Sequence, residues 1–447
     1  AQQVMVWLLT AWTTLLAAAC AHLVSPVPSA PAPQQLLHCY NQRTVQSTKA
    51  AIFKDFLRGN TSRLQLHKLL WSTKSSAGNE HGLLTIVTAA TPARLDTLEA
   101  QCNSWPGTLS AAVYMPLQTT ADTSMPQTEQ RSQQDLNAAE HAAQQLFDRM
   151  ETSAGACMLR LALLTELVGD VLLGRLLPIN SLRNVALLAA TTPLVAMVDV
   201  DLLPSAHLAH LLAGPKQSAE ATALLHGCKA NGQRQVVVMP AFETAQQSVN
   251  LTQGVKFAEQ LAKGGDKAAV LRAVQTQQLL PFAQVKYQPG HNATDYAKWY
   301  TAQQPYHVSY QRNFEPWFIM CRAHLLSYDA RFRGYGWNKV QQVAHVNASG
   351  YQFVVHPTLF LIHRPHLKSE AQKLYTAALS SSRSGGLTEQ VPVAKLFHRR
   401  VASLLHTVVS RMKKGTYKTV LDEPSARCFD QLAWWQTSKA TGSVFQY

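Results

Sequence analysis

Two aspartates, one residue apart, follow a short apolar run near the middle of the chain. The run at residues 194–198 predicts a strand, and Asp199 and Asp201 come directly after it. Because side chains alternate along a strand, both carboxylates would point to the same side where the strand ends. Two such charges repel unless a cation lies between them, and oxygen ligands suit Mg²⁺ or Mn²⁺. The pair therefore predicts a metal site for a diphosphate; the alternative is two solvated turn carboxylates.

The segments around this pair predict an α/β sheet. Short β-rich runs alternate with helical patterns, one of which covers residues 181–190, just ahead of the aspartates. In such sheets, binding sites lie at the carboxyl ends of the strands. The tract at residues 117–140 is rich in Gln, Thr, Ser and Ala and predicts an exposed insertion. The predicted strands are residues 82–90, 109–115, 194–198, 235–241, 351–355 and 359–362.

The chain opens with an uncharged apolar run at residues 4–24, followed by four prolines within residues 26–33. This run is long enough to span a bilayer as a helix, which predicts a signal anchor followed by a stalk. The small residues at 17–21 also resemble a signal-peptide cleavage region, so a cleaved signal is the alternative. Both interpretations send the chain into the secretory pathway.

Cysteines and glycosylation motifs agree with that pathway. Of the seven cysteines, six lie outside the apolar run and can pair in an oxidising lumen, with their connectivity open. The absence of a C-x-x-C pair excludes zinc-ribbon and thioredoxin-type sites. Asn-x-Ser/Thr motifs, which predict N-glycosylation, occur at Asn60, Asn250, Asn292 and Asn347.

The chain carries a formal net charge of +14, part of it in one basic segment. Residues 395–418 contain seven Lys or Arg and no acid, with apolar residues spaced along one helical face. We favour a helix packed on the domain with a solvated basic face over a binding patch. A nucleic-acid-binding function would rest only on this charge, because no nucleic-acid motif accompanies it.

Eight segments, in order, resemble the LARGE-type glycosyltransferases of family 49, which include β-1,4-glucuronyltransferases. The resemblance spans roughly residues 82–366. The segments are TIVTAATPARLDTLEAQCNSWPG from Thr85, LLPINSLRNVAL from Leu176, MVDVDLLPS from Met197, VVMPAFET from Val237, GHNATDYAKW from Gly290, NFEPWFIM from Asn313, YDARFRGYGWNKVQ from Tyr328 and FLIHRPH from Phe360.

The resemblance implies a GT-A type fold, in which a nucleotide-sugar-binding mixed α/β sheet is flanked by helices. The apolar run at residues 4–24 adds an N-terminal membrane-spanning helix to the predicted fold. The tail after residue 368 matches the family poorly. The predicted divisions are a signal anchor or signal peptide at 1–25, a stalk and N-terminal extension at 26–80, a glycosyltransferase domain at 81–368 with the insertion near 117–140, and a basic helical extension at 369–447.

The resemblance also implies roles for single residues. Asp201 corresponds to a direct metal ligand, Asp199 lies nearer the ribose, and His363 corresponds to the third metal ligand, with His366 a weaker candidate. The donor-binding candidates are Thr88, Ala89, Arg94, Asn180, Arg183 and Asn184. The acceptor-binding or sugar-binding candidates are His291, Lys298, Trp317, Tyr335, Gly336, Trp337 and Asn338.

The general base is open. Many inverting GT-A enzymes have an acidic pair after a Gly-aromatic-Gly loop, but here that loop leads into Asn338 and Lys339. The candidates are therefore Asp329, which we favour slightly, Glu315, or an acid group of the acceptor itself. Both acids could instead be buried ion-pair partners of nearby arginines.

The predicted function is a metal-dependent inverting glycosyltransferase. It would transfer glucuronic acid from UDP-glucuronic acid to a glycan or glycoprotein acceptor, such as a xylose-terminated chain, with Mn²⁺ (or Mg²⁺) as cofactor. We expect a type II, single-pass Golgi membrane protein with a luminal catalytic domain and no nucleic-acid partner; the oligomeric state stays open. The alternative is a Golgi carbohydrate-binding or scaffold protein that keeps the fold without turnover.

Overall fold

The computed structural model describes residues 33–42, 50–59, 61–74, 82–119, 126–213, 218–226, 228, 234–245, 250–380, 390–432 and 434–436. In these residues, nine strands form one mixed sheet and four form a smaller one. The strands are β1 Gln65–Trp71, β2 Leu84–Ala90, β3 Thr108–Gln118, β4 Met158–Val168, β5 Leu194–Met197, β6 Leu202–Pro204, β7 Gln235–Met239, β8 Ala241–Thr244, β9 Leu279–Pro281, β10 Tyr306–Val308, β11 Trp317–Cys321, β12 Gln352–Val355 and β13 Leu361–His363.

Helices lie between most of these strands, so the predicted mixed α/β sheet flanked by helices is confirmed. The α-helices are α1 Pro33–Asn41, α2 Phe53–Leu57, α3 Leu95–Ser104, α4 Pro126–Thr152, α5 Val171–Arg175, α6 Ile179–Leu188, α7 Ala206–Leu212, α8 Ala219–His226, α9 Leu251–Gly264, α10 Lys267–Gln275, α11 Tyr296–Thr301, α12 Asn338–Ala348, α13 Glu370–Ser380, α14 Gln390–Lys413 and α15 Glu423–Gln431.

The fold prediction was wrong in including an N-terminal membrane-spanning helix. No helix within the described ranges has both the length and the apolar character needed to cross a bilayer. The apolar run at residues 4–24, on which the prediction rested, lies outside the described residues.

The large sheet has the strand order β1-β4-β3-β2-β5-β11-β7-β12-β10. Strands β2, β3, β4 and β5 are mutually parallel where they pair, and their side chains are almost all buried. Strands buried on both faces are expected to be largely apolar, and β4 is so apart from Arg160, Thr165 and Glu166. Because β5 lies near the middle of the sheet, the loop that follows it lies near the middle of the sheet edge at which the parallel strands β2 to β5 have their carboxyl ends.

The small sheet has the order β6-β13-β8-β9 and brings distant segments to that loop. Strand β6 follows the loop directly, and β13 pairs antiparallel to β6, with His363 opposite Leu202. Strand β8 pairs parallel to β13 on its other side. This register places the end of β13 next to Asp201 although 162 residues separate His363 from it in the chain, the difference between 363 and 201.

Part of the predicted exposed insertion is a helix. The tract forms most of α4, whose Leu136, Ala143, Leu146 and Met150 are buried against the sheet. Its apolar face is narrow and partly alanine, so the hydrophobic signal is weak in the sequence. The basic helix α14, in contrast, buries Val401 and other apolar residues of the predicted face, as expected for a helix packed on the domain.

The six cysteines outside the apolar run form three disulfides. They are Cys39–Cys428, Cys102–Cys157 and Cys228–Cys321. The first joins α1 to α15 and so ties the two ends of the described chain together. Complete pairing is what an oxidising compartment would produce.

Candidate active site

Asp201, His363 and His366 form one cluster at the start of β6 and the end of β13. One ligand atom from each lies within 4.8 Å of the other two. His366 Nε2 is 2.6 Å from Asp201 Oδ2, and His363 Nε2 is 3.8 Å from the same oxygen. Burial alone would raise the pKa of Asp201, but its contacts with both histidines hold that pKa well below the usual value. A carboxylate with two imidazoles can hold a first-row divalent cation. His366, the weaker candidate in the sequence, thus lies with the predicted ligands Asp201 and His363.

Asp199 has a different environment from Asp201. Its Oδ1 accepts a hydrogen bond from Arg183 Nη2 at 2.9 Å, and its Oδ2 accepts one from Trp317 Nε1 at 3.0 Å and one from Lys339 Nζ at 3.3 Å. Burial would raise the pKa of Asp199, but the charges of Lys339 and Arg183 lower it. Both oxygens therefore have partners within the protein, and Asp199 is not part of the three-residue cluster.

Arg183 connects α6 to the start of α12. Its Nη1 donates to Asn180 Oδ1 at 3.1 Å and to Asn338 Oδ1 at 2.8 Å, while its Nη2 binds Asp199. The guanidinium is almost completely buried, with 4% of the side chain exposed. The structure thus places Arg183 and Asn338 as supports of Asp199.

The two other predicted residues of α6 hold a neighbouring loop. Asn184 donates to the carbonyl of Tyr328 and accepts from the amide of the same residue, both at 2.8 Å. Asn180 donates to the carbonyl of Asp329 at 3.0 Å. Both asparagines are fully buried. Their side-chain bonds fix the loop that begins at Tyr328.

Phe282, His291 and Trp317 form a group of packed rings, here called the aromatic wall, that contacts His363 of the metal cluster. The His291 ring stacks on Trp317, with centroids 5.2 Å apart and planes 8° apart. Phe282 meets His291, Trp317 and His363 edge to face, with centroids 5.1 to 5.3 Å apart. Burial, and then the charge of Lys339, lowers the pKa of His291 well below its ordinary value, so this imidazole is neutral.

The two candidate general bases differ in how fully their oxygens are occupied. Asp329 is fully buried, accepts hydrogen bonds from Arg331 Nε and Nη2, and accepts a third from the Tyr417 hydroxyl at 2.9 Å. Glu315 has 22% of its side chain exposed and lies 4.0 Å from His291 Nε2. Burial raises the pKa of Glu315, while the nearby charge of Lys339 opposes that shift. Asp329 therefore has the environment of a structural ion pair, and Glu315 has that of an acid at the edge of the site.

The remaining donor-side candidates lie on or after β2. Thr88 is buried within the strand, and Ala89 is partly exposed. Arg94 Nη2 donates to His366 Nδ1 at 2.8 Å and to the carbonyl of Leu367 at 2.7 Å. Arg94 is thereby placed against the metal cluster. His366 Nδ1 also lies 2.8 Å from the carbonyl oxygen of Leu367, the kind of acceptor to which a metal-ligating histidine donates its second N–H.

The loop at residues 334–337 carries three of the acceptor-side candidates. Gly334, Gly336 and Trp337 have φ values of 76°, 91° and 65°, and Tyr335 is 47% exposed. Positive φ costs little for glycine and more for Trp337, which directly precedes α12. Lys298, in contrast, lies over the ring of Tyr306 at 4.7 Å, a contact that does not join it to the wall or to the metal cluster.

Three of the predicted glycosylation asparagines, Asn250, Asn292 and Asn347, are exposed. Asn60 lies outside the described residues. Asn292 directly follows the buried His291 of the aromatic wall.

Sequence reasoning missed two residues that shape the site. Gln101 of α3 is fully buried, and its Nε2 donates to the carbonyls of Asp199 and Leu202 at 3.1 and 2.9 Å. It thereby fixes the loop that carries both aspartates. Phe282, in the aromatic wall, packs against His363. Neither has a sequence signal, because a helical glutamine is usually exposed and a phenylalanine is usually an ordinary core residue.

Known proteins resemble this chain over the region that builds the site. Residues 83–385 match the family described as "Glycosyl-transferase for dystroglycan". The chain is 31% identical over 286 residues to xylosyl- and glucuronyltransferase LARGE2 of Mus musculus, covering 64% of this chain and 35% of that protein. It is 30% identical over 304 residues to xylosyl- and glucuronyltransferase LARGE1 of Danio rerio, covering 67% and 34%. The chain thus spans about a third of the length of these relatives.

Among solved structures, S. aureus TarS 1-349 aligns with 79% of this chain and 80% of its own, at 13% identity and a TM-score of 0.26. That score is too low to support an argument about fold or function.

Proposed function

This chain belongs to the glycosyltransferase family described for dystroglycan, and on that premise we propose that it transfers glucuronic acid from UDP-glucuronic acid to a xylose-terminated glycan, with inversion and a divalent metal. The observation that supports this most directly is the cluster of Asp201, His363 and His366 beside the salt-bridged Asp199. The printed names of the relatives, xylosyl- and glucuronyltransferases, support the donor and acceptor classes. Because the chain covers only part of those relatives, the donor and acceptor remain part of the proposal.

Asp201, His363 and His366 would hold the metal. Their donor atoms converge within 4.8 Å, as ligands of one ion must. Two imidazoles and one carboxylate favour a transition ion such as Mn²⁺ over Mg²⁺, which prefers oxygen ligands alone. When bound, such an ion supplies Lewis-acid stabilisation of the charge that develops on the departing diphosphate.

The cationic side chains around the cluster suit an anionic donor. Lys339 contacts Asp199, and Arg94 contacts His366 of the cluster. Arg183 holds Asp199 rather than offering its guanidinium to a ligand. We therefore propose that Arg183, Asn180 and Asn184 position Asp199 and the loop at Tyr328. Lys339 and Arg94 would neutralise the negative charge of the donor diphosphate.

Glu315 is the proposed general base. The acceptor hydroxyl oxygen attacks the anomeric carbon on the face opposite the leaving group, and the bond between that carbon and the diphosphate oxygen breaks. UDP leaves with the electron pair, and Glu315 takes the hydroxyl proton. Its partial exposure and raised pKa support this role, whereas both oxygens of Asp329 are occupied by Arg331 and Tyr417.

We place the enzyme in the lumen of the Golgi. The three disulfides support an oxidising compartment, and a glycan acceptor is found there as well. Exposed asparagines in the glycosylation motifs agree with the same pathway.

The test is UDP release from a panel of UDP-sugars by the 447-residue chain, with Mn²⁺ and a xylose-terminated disaccharide. We expect UDP-glucuronic acid to be the preferred donor and Asp201→Asn to abolish its turnover. Asp148→Asn is the matched control, because Asp148 is exposed on α4. Absence of turnover with every donor, in a chain that unfolds cooperatively, would favour a carbohydrate-binding protein. That alternative is kept open by Lys339, which stands where many inverting GT-A enzymes have an acid.

A further inference from the structure

One exposed ring lies on the loop that precedes Asn338 and Lys339. Tyr335 is 47% exposed and is carried by the loop whose two glycines have positive φ. Partial burial, then the charge of Glu315 and next that of Asp201, raise its pKa to about 12. The loop that carries this ring continues directly into Asn338, which accepts a hydrogen bond from Arg183, and Lys339, which donates one to Asp199. The ring is thus three and four residues away from two side chains that contact the residues of the site.

A second ring, from the C-terminal part of the chain, packs against Tyr335. Tyr375 lies on α13, and its ring centroid is 5.1 Å from that of Tyr335, with the planes tilted by 58°. A Cβ atom on Gly336 would lie only 3.2 Å from a carbon of the Tyr375 ring, so this ring covers the backbone of Gly336. A side chain at Gly336 would displace this ring by a few tenths of an ångström and would strain a backbone with φ of 91°.

Tyr375 is held from its other side by α14. Its ring meets that of His398 edge to face, with centroids 5.0 Å apart. Tyr287 lies beside Glu315, because a Cβ atom on Gly290 would be 2.7 Å from the Tyr287 ring and 3.2 Å from Cγ of Glu315. Tyr375 contacts Tyr335 and His398, and it comes from the segment that follows the sheets.

We propose that Tyr335 and Tyr375 form the platform on which the acceptor sugar stacks, and that Tyr375 is a specificity-determining residue for the acceptor. This inference rests on the proposed function and adds the acceptor subsite to it. The C–H face of a pyranose packs well on an aromatic ring, and a tilted pair of rings offers two such faces at a fixed angle. A sugar held there presents a hydroxyl to Glu315.

A purely structural role for Tyr375 predicts something different. If the ring only anchors α13, its removal would lower stability and impair donor and acceptor kinetics alike. If it binds the acceptor, the loss falls on the acceptor KM. The KM for donor and the KM for acceptor therefore separate the two explanations.

The experiment compares Tyr375→Ala, Tyr375→Leu and Tyr375→Phe in the full chain. The matched control is Thr376→Ala, because Thr376 is exposed on the same helix and bonds only within it. The probe is a xylose-terminated disaccharide, titrated at saturating UDP-glucuronic acid and Mn²⁺, with the donor titrated separately. Tyr375→Leu keeps apolar volume without an aromatic face and provides the test if the alanine variant does not fold.

We expect Tyr375→Ala and Tyr375→Leu to raise the acceptor KM about tenfold, with a much smaller change in the donor KM. Tyr375→Phe should restore most of the acceptor affinity, because it keeps the ring. An unchanged acceptor KM in the alanine or leucine variant, or equal increases in both KM values, would overturn the inference while wild-type transfer still supports the proposed function. Lack of any transfer by the wild-type chain would overturn both together.

Discussion

The ammonium of Lys339 lies 3.3 Å from Oδ2 of Asp199 and 3.5 Å from the centre of the Trp317 ring. A lysine held over an aromatic face and against a carboxylate is fixed in position rather than free in solvent. Burial would raise the pKa of Asp199, but Lys339 and Arg183 lower it, so Asp199 stays ionised at neutral pH. Two cations therefore balance Asp199, and the negative charge available to a metal comes from Asp201.

Removing the Lys339 charge should lower catalytic efficiency more than it lowers the stability of the fold. In Lys339→Met, the Arg183 and Trp317 partners of Asp199 remain, so we expect a loss of about 1 to 2 kcal/mol in the free energy of unfolding. We expect kcat/KM for UDP-glucuronic acid to fall at least about tenfold, because a charge facing the donor is lost. Urea unfolding and initial-rate kinetics measure the two effects.

Lys373→Met is the control for this change, because Lys373 is exposed and pairs only with Glu370 across one helical turn. Such surface pairs contribute little to stability. A Lys339→Met enzyme as active as the wild type would show that Lys339 serves only to neutralise Asp199.

Metal binding can be measured without activity. A divalent ion that binds only the folded chain should stabilise it by about 2.7 kcal/mol at a concentration one hundred times its dissociation constant. We expect Mn²⁺ to raise the unfolding temperature of the wild-type chain and EDTA to reverse the shift. In His366→Ala the shift should shrink, because one of the three converging ligand atoms is gone.

The control for the metal prediction is His141→Ala, since His141 is exposed on α4. Its shift with Mn²⁺ should equal that of the wild type. If His366→Ala and His363→Ala both showed the same Mn²⁺-induced shift as the wild type, the ion would bind elsewhere on the chain.

Most of the sheet could be predicted from the sequence, because the pattern is local. The apolar run before Asp199 and the run at the start of β2 define strands by residue type alone. Alternation along the strand does not account for the two carboxylates, because β5 ends at Met197 and Asp199 and Asp201 bind different partners from the loop that follows. The insertion prediction misses the start of α4, because the buried face of that helix consists of few apolar residues among many polar ones.

The partners within the site depend on long-range pairing, which one sequence does not specify. His366 reaches Asp201 only because β13 pairs with β6, and Lys339 reaches Asp199 from 140 residues away. The sequence slightly favours Asp329 as the base, but its salt bridge with Arg331 and its hydrogen bond from Tyr417 form only in the folded chain. Such contacts decide which carboxylate has oxygens available to a substrate.

Glu315 should control the acidic limb of the pH profile. Burial raises its pKa, and a general base must be deprotonated, so activity should rise with pH through a value above that of an ordinary glutamate. Glu315→Gln should lower kcat about a hundredfold or more and remove that limb. The measurement is kcat at saturating donor and acceptor between about pH 4.5 and 8.

Stability gives an independent check on Glu315. A carboxyl group whose pKa is raised on folding contributes most at low pH, and that contribution is lost as pH rises through its folded-state pKa. Glu315→Gln should therefore be at least as stable as the wild type at pH 7. A large destabilisation would indicate a structural ion pair instead, and Glu129→Gln on exposed α4 controls for the general effect of the exchange.

Ionisation of Asp422, at the start of helix α15, should make the stability of the fold depend on pH. Its side chain is buried at the start of that helix, which Cys428 ties to α1. Burial raises the pKa of Asp422 to about 7, and the charge of Glu166 adds to the shift, against the hydroxyls of Ser181 and Thr61. Because the folded-state pKa lies above the unfolded value, stability is lost as pH rises from about 4 to about 7.

Asp422→Asn removes this titration while nearly preserving shape. We expect the variant to be more stable than the wild type at pH 8 by about 2 kcal/mol and to show little or no gain at pH 5, where Asp422 is protonated in the folded chain. Thermal unfolding at the two pH values measures the difference, with the exposed Asp430→Asn on the same helix as control. An equal change at both pH values would mean that Asp422 does not titrate in this range, and that its burial is offset by hydrogen bonds to the charged form.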